Sequence, residues 1–380
     1  MSTPAPRPRW WAKVLTAALG VLLALGVAAS VEFASREVLR AKKRTTYPLF
    51  YDRAKDRGVL GGPGYNYLDP HLGHAHEPEA LAKAFPDLTY VPGFMVYGDP
   101  REKRAIRIVT LGGSTTDPRV RQAWPELLRE RLLARGYRVV VFNGGVAGYS
   151  SNQELVKLIR DVLPLGPQLI ISLNGVNDLG FAHSVKTHPM VHPYQQDVME
   201  QLVRGGRVGR VFPNTTAMTE SMLAARGSLR GVNYGPVVRT TPGRQWERNV
   251  RLMAAVAREL SIPYLCFRQP VLGAGEFDLS PAEREMVRRY AGDTGAAAAT
   301  PARATYLDVV KAFYTETTEV CARLPYCVDL ANIFRGRTGV YSDARHQTVE
   351  GRTVIAEAIG AEIVRRGLIG RPPAKAGGAP

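Results

Sequence analysis

Residues 105–115 read Ala-Ile-Arg-Ile-Val-Thr-Leu-Gly-Gly-Ser-Thr. The β-branched and apolar run from Ile106 to Leu111 stops at a glycine pair, and a hydroxyl follows. A short apolar run bounded by turn residues fits a strand buried on both faces. The design recurs downstream. Arg138-Val-Val-Val-Phe142 runs into Asn143-Gly144-Gly145, and Leu169-Ile-Ile-Ser-Leu173 runs into Gly175-Val176-Asn177-Asp178. Pro263–Phe267 is a fourth run of the same kind.

Amphipathic stretches separate these runs. One extends from Trp124 to about Ala134. A second follows the capping box Ser151-Asn-Gln-Glu154 and carries Leu155, Leu158, Ile159 and Val162. A third, from about Arg244 to Leu260, has Val250, Met253 and Ala257 on one face. The last runs from Val349 to about Arg366, with Ile355, Ile359 and Ile363 at i+4 spacing. Strands alternating with such helices predict an α/β fold with a doubly wound parallel sheet. Ligands of such sheets bind at the carboxyl ends of the strands, where the three glycine-containing segments lie.

Those segments carry chemistry. Ser114 follows its strand at a turn that exposes the hydroxyl, but serine is a poor nucleophile unless a base takes its proton. Gly-Gly-Ser-Thr lacks the lysine of a phosphate-binding P-loop. Near the C-terminus, Asp343-Ala344-Arg345-His346 puts a carboxylate three residues from an imidazole at the mouth of the last helix. That spacing lets the carboxylate fix one tautomer while the other ring nitrogen faces Ser114. His183, His188 and His192 are rival bases, but they sit in a proline-bearing insertion without a matching motif. The Gly145 N–H and the Asn177 amide suit the oxyanion of an acyl-transfer intermediate. Asp178 reads as a loop-stabilising acid.

The ordered set GGST, NGG, GVND and DARH resembles the SGNH/GDSL hydrolase superfamily over roughly residues 105–366, including Thr348-Val-Glu-Gly351 and Ile355-Ala356. The resemblance implies a three-layer α/β/α sandwich of flavodoxin-like type. It implies a serine esterase or acyl-transfer mechanism without metal or cofactor. By motif position Ser114 is the nucleophile, His346 the base and Asp343 its orienting acid. The oxyanion hole would comprise the backbone of Ser114, the backbone of Gly145 and the side chain of Asn177. The first block departs from the family pattern, with Gly113 in place of Asp and Thr115 in place of Leu. The interval from Asp178 to Asp343 also exceeds that of compact members. Anchored relatives with such insertions include polysaccharide O-acetylesterases and O-acetyltransferases.

At the N-terminus, Val14–Val31 is 18 residues without a charge, preceded by Trp10 and Trp11. Such a run can span a bilayer with the tryptophans at the interface. Val27-Ala28-Ala29 would also serve as a signal-peptidase site, so a cleaved signal is the rival of an uncleaved anchor. Arg7, Arg9 and Lys13 precede the run, and Arg36, Arg40, Lys42, Lys43 and Arg44 follow it. That count alone favours a cytoplasmic C-terminal side, but long domains translocate largely regardless of it. The chemistry and the cysteines favour an extracytoplasmic domain, periplasmic or at the cell surface. Cys321 and Cys327, with Pro325 between them, are spaced for a small disulfide loop, and Cys266 lies in an apolar strand.

The expected organisation is a tail at 1–13, a membrane anchor at 14–31 and a turn-rich, membrane-proximal lead-in at 32–104. A catalytic domain follows at 105–370, with insertions at about 181–243 and 273–305, and a disordered tail at 371–380. In the lead-in, Asp69, His71, His74 and His76 are metal-ligand types, but without a regular element to fix them they read as a solvated loop. The net charge of +16 suits acidic glycans or phospholipid headgroups, or reflects plain arginine usage. No nucleic-acid-binding signature is present, and no protein partner is identified. The reading is an esterase acting on O-acyl, foremost O-acetyl, groups of a cell-envelope carbohydrate. An O-acyltransferase with the same triad is the alternative, and a non-catalytic glycan-binding or assembly protein is a third.

Overall fold

A computed structural model describes residues 10–41, 66–69, 71–181, several positions between 212 and 222, 240–293 and 306–370. His183, His188 and His192, most of the 181–243 insertion, the alanine-rich 295–300 stretch and the 371–380 tail lie outside the described residues. The chain divides into two compact units, Met1–Arg57 with Asp197–Asn233, and Gly58–Gln196 with Tyr234–Pro380.

The first unit contains α1 (Trp10–Ala41), one continuous helix that runs past the 14–31 span into residues read as lead-in. Within its Lys13–Ala41 portion an 18-residue window has a mean hydropathy of 2.4, and the portion is long and apolar enough to cross a membrane. Glu32, just past the uncharged run, is buried. Its carboxylate accepts from the backbone N–H and side-chain amide of Asn214 and from the N–H and hydroxyl of Thr215.

The second unit begins with a hairpin, β1 (Asn66–Asp69) and β2 (Gly73–His76), followed by α2 (Pro78–Ala84). Next come β3 (Thr89–Val91), β4 (Phe94–Tyr97), β5 (Ile106–Gly112), α3 (Trp124–Ala134), β6 (Val139–Asn143) and α4 (Ser151–Lys157). The chain continues through β7 (Leu169–Asn174), α5 (Val176–Phe181), α6 (Pro242–Glu259) and β8 (Tyr264–Arg268). It ends with α7 (Pro281–Asp293), α8 (Tyr306–Arg323), β9 (Cys327–Asp329) and α9 (Val349–Arg365).

Seven strands form one sheet in the order β3-β4-β6-β5-β7-β8-β9. The five strands from β6 to β9 run parallel, and β3 and β4 add an antiparallel edge. Because side chains alternate along a strand, each parallel strand feeds two cores. Val109, Val140, Ile170 and Cys266 face the core shared with α4, α6 and α8. Ile108, Val141, Ile171 and Leu265 face the core shared with α3 and α9. Burial on both faces explains why these strands read as unbroken apolar runs. The result is the three-layer α/β/α sandwich.

The lead-in differs from its reading. Phe94–Tyr97 is a buried strand pairing with β6 and so covers an edge that would otherwise expose unpaired backbone groups. Only four residues long and flanked by Gly93 and Gly98, it was hidden by its turn-like neighbours. The 273–305 stretch likewise contains a regular element, α7. The cap of α4 is shifted by one residue: the Ser150 N–H and hydroxyl donate to the Gln153 side chain. Ser151 and Glu154 are instead buried in polar contacts of their own.

Candidate active site

β5, β6 and β7 are neighbours and parallel, so the segments following them emerge at one edge of the sheet. From β5 the chain crosses to β6 on one side and then to β7 on the other, and the crevice at such a reversal is where ligands bind. Ser114 lies on a tight turn closed by Thr116 N–H to the Gly113 carbonyl, 3.0 Å.

His346 arrives from a segment 232 residues away, and its Nε2 lies 2.7 Å from Ser114 Oγ. The His346 Nδ1 is 2.7 Å from Asp343 Oδ2. A carboxylate only accepts, so Nδ1 carries the proton and Nε2 is left to receive one from the serine. Asp343 is itself braced, its Oδ1 accepting from the backbone N–H of Arg345 at 2.7 Å and of His346 at 2.9 Å. Burial alone would raise its pKa. The His346 hydrogen bond and these two N–H groups outweigh that and hold the carboxyl below its usual range. The turn precedes α9, whose cap is Thr348, and is closed by bridging of Tyr341 with Gln347. Gln269 and Gln347 both donate to the Arg345 carbonyl, tying the turn to the end of β8. The His346 and Asp343 side chains are 39% and 45% exposed, so this pair sits at the surface.

Asn177 stands on the first turn of α5, and its Nδ2 donates to the Tyr149 carbonyl at 2.8 Å. A Cβ added at Gly113 would collide with that amide nitrogen. The departure from the Asp of the family pattern therefore has a local cause: glycine lets the Asn177 amide lie against the nucleophile turn.

The Gly145 N–H points inward. It donates to Asn143 Oδ1 at 3.0 Å, and the Gly145 backbone packs against Thr116 in the interior. Asn143 in turn donates to the Thr116 carbonyl at 2.7 Å, so it is a buried clasp between two loops. The glycine preceding Tyr149, whose carbonyl holds the Asn177 amide, is Gly148, at φ +85° in a turn closed by Tyr149 N–H to the Val146 carbonyl. That left-handed conformation favours glycine. The signal in sequence was the third glycine of Asn143-Gly-Gly-Val-Ala-Gly148, passed over for the nearer pair.

Buried polar groups support the site from behind. Asp117 accepts from Arg119, from His76 Nε2 at 3.2 Å and from the Ala147 N–H at 2.8 Å. Burial would raise the Asp117 carboxyl, but the His76 and Arg119 contacts hold it well below the usual carboxylate range. Asp178 accepts from the Ser151 N–H and hydroxyl, joining α5 to the start of α4, which agrees with its reading as a loop-stabilising acid. Its burial lifts the carboxyl to about 6 despite those donors.

The histidines of the lead-in are not in a solvated loop. His74 and His76 are 1% and 3% exposed, and each is committed to the protein interior. Asp69 accepts from Arg160 and from the backbone of His71 and Leu72. Among the described residues no group of three His, Cys, Asp or Glu side chains is arranged to hold a metal ion. Cys321 and Cys327 are joined as a disulfide, and Cys266 is free and buried.

A serine hydroxyl on an imidazole that is held by a carboxylate is the equipment for acyl transfer through a serine. The chain belongs to the GDSL-like lipase/acylhydrolase family, which it matches over residues 110–343, more than half its length. Among solved structures, an acetyl xylan esterase, AlAXEase, is 13% identical, covering 68% of this chain and 100% of that one, with a TM-score of 0.39. The lipase/acylhydrolase from Enterococcus faecalis is 18% identical, with coverages of 69% and 96% and a TM-score of 0.38. A GDSL-like lipase from Bacteroides thetaiotaomicron is 15% identical, with coverages of 76% and 98% and a TM-score of 0.38. No curated protein matches the chain significantly.

Proposed function

We propose that this protein is a membrane-anchored serine esterase that removes O-acyl groups, acetyl foremost, from a cell-envelope carbohydrate. The observation that carries the catalytic part is the unbroken hydrogen-bond chain Asp343–His346–Ser114. In the first half-reaction Ser114 Oγ attacks the ester carbonyl as His346 Nε2 takes its proton. The intermediate collapses when His346 returns that proton to the leaving sugar oxygen, and an acyl-enzyme remains. Water then attacks the acyl carbon, gives its proton to His346, and the acid departs as Ser114 is reprotonated.

The developing oxyanion needs donors opposite His346. An amide nitrogen carries two N–H groups. Tyr149 orients Asn177 by accepting one, and the other serves the oxyanion. The Ser114 N–H is the second donor. For the third we favour Gly148, because Gly145 donates inward to Asn143.

The carbohydrate and its location draw on other observations. A disulfide joining Cys321 and Cys327 suits an oxidising compartment, and α1 suits an anchor, which together favour an extracytoplasmic domain. The surface exposure of His346 and Asp343 suits a polymeric substrate. It also suits a sugar hydroxyl replacing water as the acyl acceptor, the O-acyltransferase reading.

Acetate release from an O-acetylated cell-envelope polysaccharide by the detergent-solubilised full-length chain tests the substrate. Release that is lost in Ser114→Ala is expected. Turnover of p-nitrophenyl acetate without any release from the polysaccharide would reject the carbohydrate, and acetyl transfer to an added glycan in preference to water would favour the transferase. An alkaline phosphatase fused after Pro380 should be active; a stable but inactive fusion would reverse the topology.

A further inference from the structure

The hairpin β1–β2 lies upstream of the segments that resemble the family, yet it grips the loop beside the nucleophile. His74 Nε2 is 2.9 Å from the Ala147 carbonyl, which can only accept, so Nε2 is the protonated nitrogen. On the other side of the same residue, the Ala147 N–H donates to Asp117, and His76 of the hairpin donates to that carboxylate too. The Tyr149 hydroxyl returns the contact, donating to the His74 carbonyl at 2.5 Å. The two rings meet edge to face with centroids 5.3 Å apart. Leu72 packs with Val146 and Tyr149 in a small core of its own. Ala147 and Tyr149 flank Gly148, and the Tyr149 carbonyl orients the Asn177 amide.

We propose that the β1–β2 hairpin is a built-in buttress of the oxyanion loop, with His74 as a positioning residue that sets Gly148 and, through Tyr149, Asn177 for transition-state binding. The proposal rests on the esterase reading of Ser114. His74 does not touch substrate; it acts on the Ala147 carbonyl, one peptide unit before Gly148. Burial lowers its pKa to about 4, so the ring is neutral at ordinary pH and keeps the tautomer that the carbonyl requires. Oxyanion donors act only when preorganised, and a displacement of about 1 Å can cost about 10²-fold in rate.

The test is steady-state hydrolysis of p-nitrophenyl acetate by the full-length chain, with active sites counted by fluorophosphonate titration. His74→Leu removes the donor. It is expected to lower kcat per titrated site by about 10²-fold with little change in KM. His74→Gln can present a side-chain N–H to the same carbonyl and should recover most of the loss. A merely structural histidine would reduce the number of titratable sites and the Tm, leaving kcat per site unchanged, and that result overturns the proposal. If His74→Leu does not fold, Tyr149→Phe carries the test, because it deletes only the hydroxyl bond to the hairpin. Reduced kcat at unchanged KM supports the proposal there, and unchanged kcat overturns it. Absence of turnover and titration in the wild-type chain would instead defeat the esterase reading itself, and this proposal with it.

Discussion

On one side of Ser114 the acid and base come from a single four-residue turn, Asp343 to His346, whose backbone N–H groups brace its own carboxylate. On the other, proposed oxyanion side, the Gly113–Ser114 turn, the Val146–Tyr149 turn and Asn177 are held by Asn143, Asp117 and a hairpin from the lead-in. The first side is local and half exposed, and the second is non-local and buried. The contrast sets what mutation should do. Damage on the acid–base side removes a chemical group and leaves the fold. Damage on the oxyanion side acts through geometry and reaches it from residues far away in sequence.

The largest effect expected is on the nucleophile itself. Ser114→Ala should lower kcat for p-nitrophenyl acetate by about 10⁶-fold with an unchanged Tm, as for other serine hydrolases whose triad acts as a unit. Retained turnover in a purified, folded variant would remove Ser114 from the mechanism. Asp343→Asn should cost up to about 10⁴-fold, because an amide can stabilise the wrong imidazole tautomer. Its loss should appear in kcat, measured at several substrate concentrations. A small loss would mean that the backbone of the turn orients His346 unaided.

On the oxyanion side the steps are smaller. Asn177→Ala should lower kcat by about 10²–10³-fold, the usual cost of one donor. A rate equal to wild type would make Asn177 only the partner of Tyr149. The smallest effect concerns stability and pH. Burial lifts the Asp178 carboxyl to about 6 in the fold, above the ordinary aspartate value of 3.8. A carboxyl whose folded value is raised stabilises the fold below its unfolded value, and that contribution is lost as pH rises through 6. The difference in unfolding free energy between wild type and Asp178→Asn should therefore change by about 3 kcal/mol from pH 4 to pH 7, against the wild type. Chemical denaturation at the two pH values measures it, and a pH-independent difference would contradict the burial assigned to this group.

The same contrast explains what could be read in the sequence. The sheet was legible because β5, β6, β7 and β8 are buried on both faces and therefore continuously apolar. The pair Asp343 and His346 was legible because its geometry is a matter of spacing within one turn. The inward turn of the Gly145 N–H was not. Gly145 and Gly148 differ only in where their N–H groups point, which depends on Asn143 and on the φ of +85° at Gly148. The lead-in failed for a related reason: His74 and His76 become core residues only through partners at Ala147 and Asp117, about 70 and 40 residues away. In α8 a buried Thr317 interrupts the apolar stripe with a polar residue, which hid a helix of 18 residues.

The central claim is that His346 activates Ser114 for attack on an acyl carbon. The most direct measurement is reaction of the full-length chain in detergent with a fluorophosphonate, followed by mass spectrometric mapping of the adduct in wild type, Ser114→Ala and His346→Ala. The account predicts one adduct, on Ser114, absent from Ser114→Ala and strongly slowed in His346→Ala. An adduct on another residue, or equal labelling with and without His346, would contradict it.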